Sequence, residues 1–166
     1  MTTIEELSAL LNLQPHPEGG YFAETYRASE AIATEALPDR YTMPHVHGTA
    51  IYYLLTAETF SALHRLRSDE IFHFYLGDPV EMLQLHPEGK GERILLGAEI
   101  SAEIRPQVVV PRGVWQGARL VPGGEFALLG CTVAPGFEYV DFEIGDRASL
   151  LEAYPDFRDE ILALTR

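Results

Sequence analysis

Short hydrophobic segments separated by turn residues dominate the middle of the chain. Gly- and Pro-containing turns stand between them, and no long helical period intervenes. Many short strands with frequent turns are typical of a β-sandwich or a β-barrel. We therefore predict an all-β architecture for the central part of the chain. The segments rich in Val, Ile, Tyr, Phe and Thr are 50–56, 70–77, 80–85, 108–111 and 126–133.

Both ends of the chain have helical patterns instead. Thr3 and Glu6 have the spacing of a capping box at the start of an amphipathic segment. Near the C-terminus, Phe157, Ile161 and Leu164 recur on one helical face. We predict a short helix at each end of the β domain.

Composition limits the class of protein. No linker or low-complexity segment divides the 166 residues, so 1–166 is predicted to be a single domain. The net charge of −13 argues against nucleic acid and anionic membrane partners. No apolar segment approaches the roughly 18 residues of a membrane span, and the N-terminus carries acids where a signal peptide would be basic. Cys131 has no partner for a disulfide, which favours a core role and a cytoplasmic location.

The segment "HRLRSDEIFHFYLG" (64–77) suggests a site inside the barrel. A metal held between two strands would need histidines at 64 and 66, a carboxylate at 70 and a histidine from a distant strand. Leu66 stands at the second position, and Gln116 of "PRGVWQ" stands at the distant one. We therefore expect no resident metal cofactor.

Five sequence blocks resemble the cupin-5 family, long known as a domain of unknown function. The resemblance covers about residues 7–145, and Phe72 stands where the family more often has tryptophan. It implies a double-stranded β-helix, the cupin jelly roll, usually assembled as a homodimer. It implies no settled reaction. The blocks are "HPEGGYFAETYR", "IYYLL", "SALHRLRSDEIFHFYLGD", "PQVVVPRGVWQGA" and "GCTVAPGFEYVDFE".

The resemblance also implies that His64, Glu70 and Gln116 point into the barrel. A histidine and a carboxylate in a partly dry pocket are suited to acid–base catalysis, with Gln116 orienting the substrate. Our leading hypothesis is a metal-independent isomerase or epimerase acting on a small polar metabolite, a sugar-like or sugar-phosphate-like carbonyl compound. In the structural alternative, His64 and Glu70 only hydrogen-bond each other.

Two other functions are consistent with the same residues. A non-catalytic cupin would bind a metabolite as a sensor or store, and His64 would then affect affinity alone. A metal-dependent cupin, either a dioxygenase or an isomerase, would need His64, Glu70 and a third ligand such as His73.

Alternation from Glu70 predicts which neighbours face outward. It puts Phe72, Phe74 and Leu76 on the inner face of the strand and His73 and Tyr75 on the outer face. A bulge would turn His73 inward. Because both lie in a block that resembles the family, His73 and Tyr75 remain candidate ligand-binding residues.

Further candidate ligand-binding residues lie in "YFAETYR" and near the last two strands. Alternation places Glu24 and Tyr26 on one face and Arg27 on the other, where its guanidinium is suited to clamping an anion. Gln107 is suited to orienting a polar ligand, and Trp115 to forming the wall of a pocket or packing in the core.

The remaining histidines are interpreted as structural. His45 and His47 have the alternation of a metal pair but lack a following carboxylate, which predicts a solvent-exposed edge or loop. His16 and His86 each precede Pro-Glu-Gly and are predicted to be turn residues. Neither a phosphate-binding glycine loop nor a Gly-x-Ser-x-Gly elbow is present.

Overall fold

A computed structural model describes residues 3–166 and confirms the all-β prediction. The helices are α1 (Ile4–Leu10), α2 (Arg147–Ala153) and α3 (Arg158–Ala163). The strands are β1 (Gln14–Pro15), β2 (Tyr21–Arg27), β3 (Ala31–Ile32), β4 (His45–Val46), β5 (Thr49–Thr56), β6 (Ser61–Arg65), β7 (Asp69–Gly77), β8 (Val80–Leu85), β9 (Gly91–Leu96), β10 (Ile104–Arg105), β11 (Gln107–Val110), β12 (Trp115–Leu120), β13 (Phe126–Ala134) and β14 (Glu143–Ile144).

The strands form a jelly roll of two facing sheets. The first sheet has the order β1-β2-β5-β13-β7-β11, and the second has the order β10-β9-β8-β12-β6-β14. Neighbouring strands in both sheets are antiparallel except β9 and β10. A separate two-stranded ribbon joins β3 to β4. Since β6 and β7 lie in different sheets, the segment 64–77 crosses from one wall of the barrel to the other.

Two hydrophobic clusters hold the fold together. The first lies between the sheets and includes Tyr53, Phe72, Met82 and Leu129. The second covers the outer face of the second sheet, where the C-terminal helices pack on β6, β8 and β12. The second sheet is therefore buried on both faces, which explains why the sequence of β8 is apolar with little alternation.

The terminal helices follow the sequence signals. Both hydrogen bonds of the Thr3–Glu6 capping box are present at the start of α1. Phe157, Ile161 and Leu164 are buried together beneath the second sheet. None of the helices formed by residues 3–166 is long and apolar enough to span a membrane.

Two bulges overturn the strict alternation used above. In β2 the register shifts between Glu24 and Tyr26, so Tyr26 is 58% exposed and does not share the face of Glu24 as predicted. In β7 the shift leaves Tyr75 as the extra residue, and Leu76 is 43% exposed, so its inner placement was also wrong. A bulge adds one residue to a strand and reverses the facing of those beyond it.

Candidate functional site

A cavity of ≈ 160 Å³ lies between the two sheets. Two buried carboxyl groups and one buried imidazole line it: Glu18 from the turn before β2, Glu70 from β7 and His64 from β6. Phenylalanine and aliphatic side chains form much of the remaining wall. The residues predicted at 64 and 70 therefore meet in one cavity, together with an acid that the sequence reasoning missed.

Glu18 enters the cavity because of the two glycines that follow it. Gly19 and Gly20 have φ angles of 113° and 70°, which side chains rarely adopt. A Cβ at Gly19 would collide with the carbonyl oxygen of Phe60, and one at Gly20 would lie 2.7 Å from that of Leu54. The turn is thus pressed against the barrel, and Glu18 is directed inward.

Glu18 and His64 lie at ion-pair distance in the cavity. The Nδ1 of His64 lies 2.7 Å from the carbonyl oxygen of Ala62, which can only accept, so Nδ1 carries a proton. The Nε2 of His64 lies 3.1 Å from Glu18 Oε2, and Ser61 donates to the other carboxyl oxygen at 3.0 Å. The Nε2 of His64 is therefore left facing the carboxyl group of Glu18.

Burial biases both members of this pair toward their neutral forms. It raises the pKa of Glu18 and lowers that of His64, although the charge of Glu70 partly opposes the second shift. The ring of Phe142 stacks on His64 with the centroids 5.2 Å apart, which shields the imidazole on one side.

Glu70 is the second carboxyl group of the cavity. Burial raises its pKa to about 7, against the opposing influence of His64. The side-chain amide of Gln116 donates to Glu70 Oε2, and the thiol of Cys131 also contacts this carboxyl group. Gln116 does not itself line the cavity, so it positions Glu70 and does not orient a ligand directly as predicted.

His16 also lines the cavity, although it was interpreted only as a turn residue. Its Nδ1 accepts a hydrogen bond from the backbone N–H of Glu18 at 3.2 Å. Its ring contacts Phe22 edge to face with centroids 4.7 Å apart, and burial lowers its pKa. His16 thus holds the turn that delivers Glu18.

Charged side chains mark the cavity mouth. The bulge in β2 brings Arg27 to the same side as Glu24, whose carboxylate it binds with distances of 3.0 and 3.1 Å. Arg27 also donates to Glu138 and to the carbonyl oxygen of Phe137. Because the protein itself supplies these acceptors, Arg27 joins β2 to the segment after β13 and is not a free anion clamp.

The other predicted ligand-binding residues lie outside the cavity. His73 is on the outer face of the first sheet, where it contacts Thr132 at 3.0 Å and Gln107 at 3.3 Å. Tyr75 lies on the same outer face, above Gly130. Trp115 packs beneath the C-terminal helices, with the guanidinium of Arg65 4.4 Å above its ring. His73 and Trp115 point away from the cavity, as strict alternation predicts, because neither of the two bulges changes the facing at these positions.

The prediction for His45 was wrong. Its side chain is fully buried, with Nε2 2.5 Å from Asp141 Oδ2 and Nδ1 2.8 Å from the carbonyl oxygen of Met43. The contact joins the β3–β4 ribbon to the turn before β14.

The donor set of the cavity does not fit a resident metal. Within residues 3–166, no group of three or more His, Cys, Asp or Glu side chains is arranged to hold a metal ion. Both ring nitrogens of His64 have protein partners, and Leu66 contributes only an apolar wall. His73, considered above as a third ligand, is on the opposite face of its sheet.

These features define the class as a cupin-type jelly roll with buried carboxyl and imidazole groups in its barrel. The model for the Cupin superfamily (DUF985) matches residues 5–145. The chain therefore belongs to the cupin-5 family, as the resemblance in the sequence implied.

Two relatives of known structure share the fold over nearly their whole length, and a third is similar in sequence. Protein SO0799 from Shewanella oneidensis is 31% identical, with a TM-score of 0.89 and coverage of 100% of this chain and 99% of that one. A hypothetical protein from Leishmania major is 33% identical, with a TM-score of 0.86 and 98% of each chain covered. The Saccharomyces cerevisiae protein YML079W is 27% identical over 148 residues, 84% of this chain and 74% of that protein.

A distant structural similarity concerns the fold alone. Oxalate decarboxylase from Bacillus subtilis is 13% identical with a TM-score of 0.54, and the match spans 90% of this chain and 36% of the enzyme.

Proposed function

We propose that this cupin is an enzyme of the isomerase or epimerase type, which moves a proton next to a carbonyl group with its own side chains. The observation that carries the proposal is the His64–Glu18 pair, 3.1 Å apart, buried beside a second carboxyl group whose pKa is about 7. Proton-transferring groups work best when their pKa lies near the working pH. Glu70 and the His64–Glu18 pair together would supply both an acid and a base in one cavity.

The geometry supports a specific division of roles. In its ionised form, Glu18 can take a proton from the carbon beside a carbonyl, with His64 3.1 Å away. Glu70, in its protonated form, can donate to the oxygen of the resulting enolate. The C–H bond electrons become the enolate π bond, and return of a proton to carbon completes an isomerisation or epimerisation.

The cavity favours an uncharged substrate. Its acidic lining residues are Glu18, Glu24, Glu70 and Glu138, whereas its only guanidinium, in the described residues, is that of Arg27, already paired. A phosphate group would face net negative charge. The apolar wall and the volume of ≈ 160 Å³ support a small neutral hydroxycarbonyl compound over a sugar phosphate.

Solvent exchange tests this proposal without knowledge of the physiological product. A panel of small neutral hydroxyaldehydes and hydroxyketones would be incubated with the protein in D₂O, and deuterium on carbon would be measured by mass spectrometry. We expect exchange that His64→Gln abolishes and that His86→Gln, at an exposed turn, leaves intact. Equal exchange in the two variants would show that His64 takes no part in the proton transfer.

A non-catalytic metabolite-binding cupin is the second candidate. It is favoured by the fact that the buried carboxyls already have protein partners, Ser61 and His64 for Glu18 and Gln116 for Glu70. In this case the bound compound would be recovered unchanged, and His64→Gln would alter its dissociation constant alone.

We also propose a homodimer. The outer face of the first sheet exposes Tyr75 and Val109 to about half of their full extent, and apolar residues on a sheet face favour association. Light scattering on the native chain is expected to give twice the monomer mass, and Val109→Lys is expected to shift it toward the monomer.

A further inference from the structure

Four arginines line a second pocket on the other side of the cavity wall. Arg40, Arg65, Arg67 and Arg112 surround a space of ≈ 400 Å³, which we call the arginine pocket. The whole chain has 12 lysines and arginines and a net charge of −13, so this concentration of positive charge runs against its overall composition. The acids in the pocket lining are Asp141 and Glu143.

These two acids do not neutralise the pocket. Arg65 donates two hydrogen bonds to the carboxylate of Glu143, at 2.8 and 3.1 Å. Asp141 binds His45, and the nearest nitrogen of Arg67 is 3.7 Å from its Oδ1. In residues 3–166, no carboxylate oxygen lies within 4.0 Å of a side-chain nitrogen of Arg40 or Arg112. The arginine pocket therefore has positive charge that no carboxylate of the described residues neutralises.

The backbone holds two of these arginines in place. Arg40 Nε donates to the carbonyl oxygen of Arg67, and Arg67 Nη1 donates to that of Arg40, both at 3.0 Å. The Arg40 guanidinium also lies 4.7 Å above the ring of Tyr41. Each of these contacts uses only part of a five-donor guanidinium. The side chains are thus ordered before any ligand arrives, which reduces the entropy lost on binding.

We propose that the arginine pocket binds an oxyanion of the phosphate class, either inorganic phosphate or a phosphomonoester. Planar guanidinium groups match the oxygens of such anions with paired hydrogen bonds. The site is distinct from the cavity, whose lining acids would repel the same anion. Leu66 and Phe142 line both spaces, and Phe142 stacks on His64. The anion site thus lies directly behind the acid–base pair, and its existence does not depend on the proposed enzyme activity.

Calorimetric titration of the full chain with inorganic phosphate, at ionic strength held constant with sodium chloride, tests the proposal. We expect saturable binding at one site per chain. Arg67→Gln/Arg112→Gln is expected to weaken it at least about tenfold, because each substitution removes a charged hydrogen-bond donor. Arg67→Lys/Arg112→Lys keeps the charge but loses the forked geometry, so an intermediate affinity is expected.

Controls separate specific binding from general charge effects. Arg158→Gln removes an exposed arginine outside the pocket and is expected to bind phosphate like the wild type. Far-ultraviolet circular dichroism confirms that each variant is folded. A parallel titration with methyl phosphate distinguishes a monoester, which would bind as well as phosphate or better, from free phosphate, which would bind alone. Binding that does not saturate, or that is equal in the wild type and the double glutamine variant, overturns the proposal.

Discussion

The chain contains two His-Pro-Glu-Gly turns, and their surroundings differ completely. In the first, at 16–19, the side chain of Glu18 is 8% exposed and lies 3.1 Å from His64 in the cavity. In the second, at 86–89, the side chain of Glu88 is 80% exposed and pairs with Lys90. The local sequence is the same, yet one glutamate lies in the barrel and the other in solvent.

The residue after each motif explains the difference. Gly20 follows the first and has a φ of 70°, which lets the backbone approach the carbonyl oxygen of Leu54. Lys90 follows the second with a φ of −82° and leads the chain into a surface hairpin between β8 and β9. A short motif thus determines a turn, whereas packing of that turn against the barrel determines the chemistry of its glutamate.

The largest expected effect concerns the two glutamates. Glu18→Gln removes the ionisable carboxyl group beside His64, while the amide can still contact Ser61 and His64. We expect the rate of substrate exchange in D₂O to fall about 100-fold or more, the usual contribution of general acid–base catalysis. Glu88→Gln is the matched control and should retain the wild-type rate. Equal exchange rates in Glu18→Gln and Glu88→Gln would show that Glu18 takes no part in the proton transfer.

Exchanging the residues that follow the motifs tests the packing argument. Gly20→Lys places a Cβ 2.7 Å from the Leu54 carbonyl oxygen at a φ unfavourable to side chains. It is expected to lower the free energy of unfolding by about 3 kcal/mol. Lys90→Gly, at the surface, should change it by about 1 kcal/mol or less. Urea denaturation measures both, and a small loss for Gly20→Lys would contradict the close approach.

Glu70 tests whether burial alone shifts the pKa of a carboxyl group. Its pKa rises from 4.5 to about 7 on folding, so the native state holds a proton that the unfolded state has lost between these values. Its contribution to stability is present below pH 4.5 and is lost as the pH rises through 7. The free energy of unfolding of Glu70→Gln should therefore match that of the wild type near pH 4.5. Above pH 7 it should exceed the wild-type value by on the order of 3 kcal/mol.

Denaturation at several pH values measures this difference, with Glu92→Gln, at an exposed carboxylate, as the control for the chemical change. Gln116 can still donate to an amide oxygen at position 70. If the difference in the free energy of unfolding between Glu70→Gln and the wild type stays constant from pH 4.5 to 8, folding does not shift the pKa of Glu70.

The smallest expected effect concerns the two histidines of the motifs. His16→Gln loses the acceptor for the backbone N–H of Glu18 and the edge contact with Phe22. We expect a loss of about 1 kcal/mol in the free energy of unfolding. His86→Gln, which loses only an exposed contact with Glu92, should stay within about 0.5 kcal/mol. A larger loss for His86 would mean that the second turn supports the fold as much as the first.

Much of the fold could be predicted from local patterns. The strands β5, β7, β8, β11 and β13 and both terminal helices follow hydrophobic period and turn residues, which depend on short-range sterics. The facing of residues was predicted correctly up to each bulge and wrongly beyond it, as at Tyr26 and Leu76. A bulge depends on pairing with a distant strand, so no local period reports it.

The candidate site could be predicted only in part. His64 and Glu70 belong to a recognisable segment, but the partner of His64 proved to be Glu18, which is distant in sequence. The signal available in the sequence was the glycine pair after Glu18, since consecutive glycines indicate close approach of the backbone to another segment. Its meaning required knowledge of what the turn packs against.

By itself, the sequence determined the all-β class, the helical ends and the replacement of two metal-ligand positions by Leu66 and Gln116, because residue type and short spacing are enough for each. Only the tertiary structure decided that Glu18 lies beside His64, that His73 faces outward and that four arginines meet behind the cavity. These depend on which distant segments come into contact, and that is set by the packing of the two sheets as a whole.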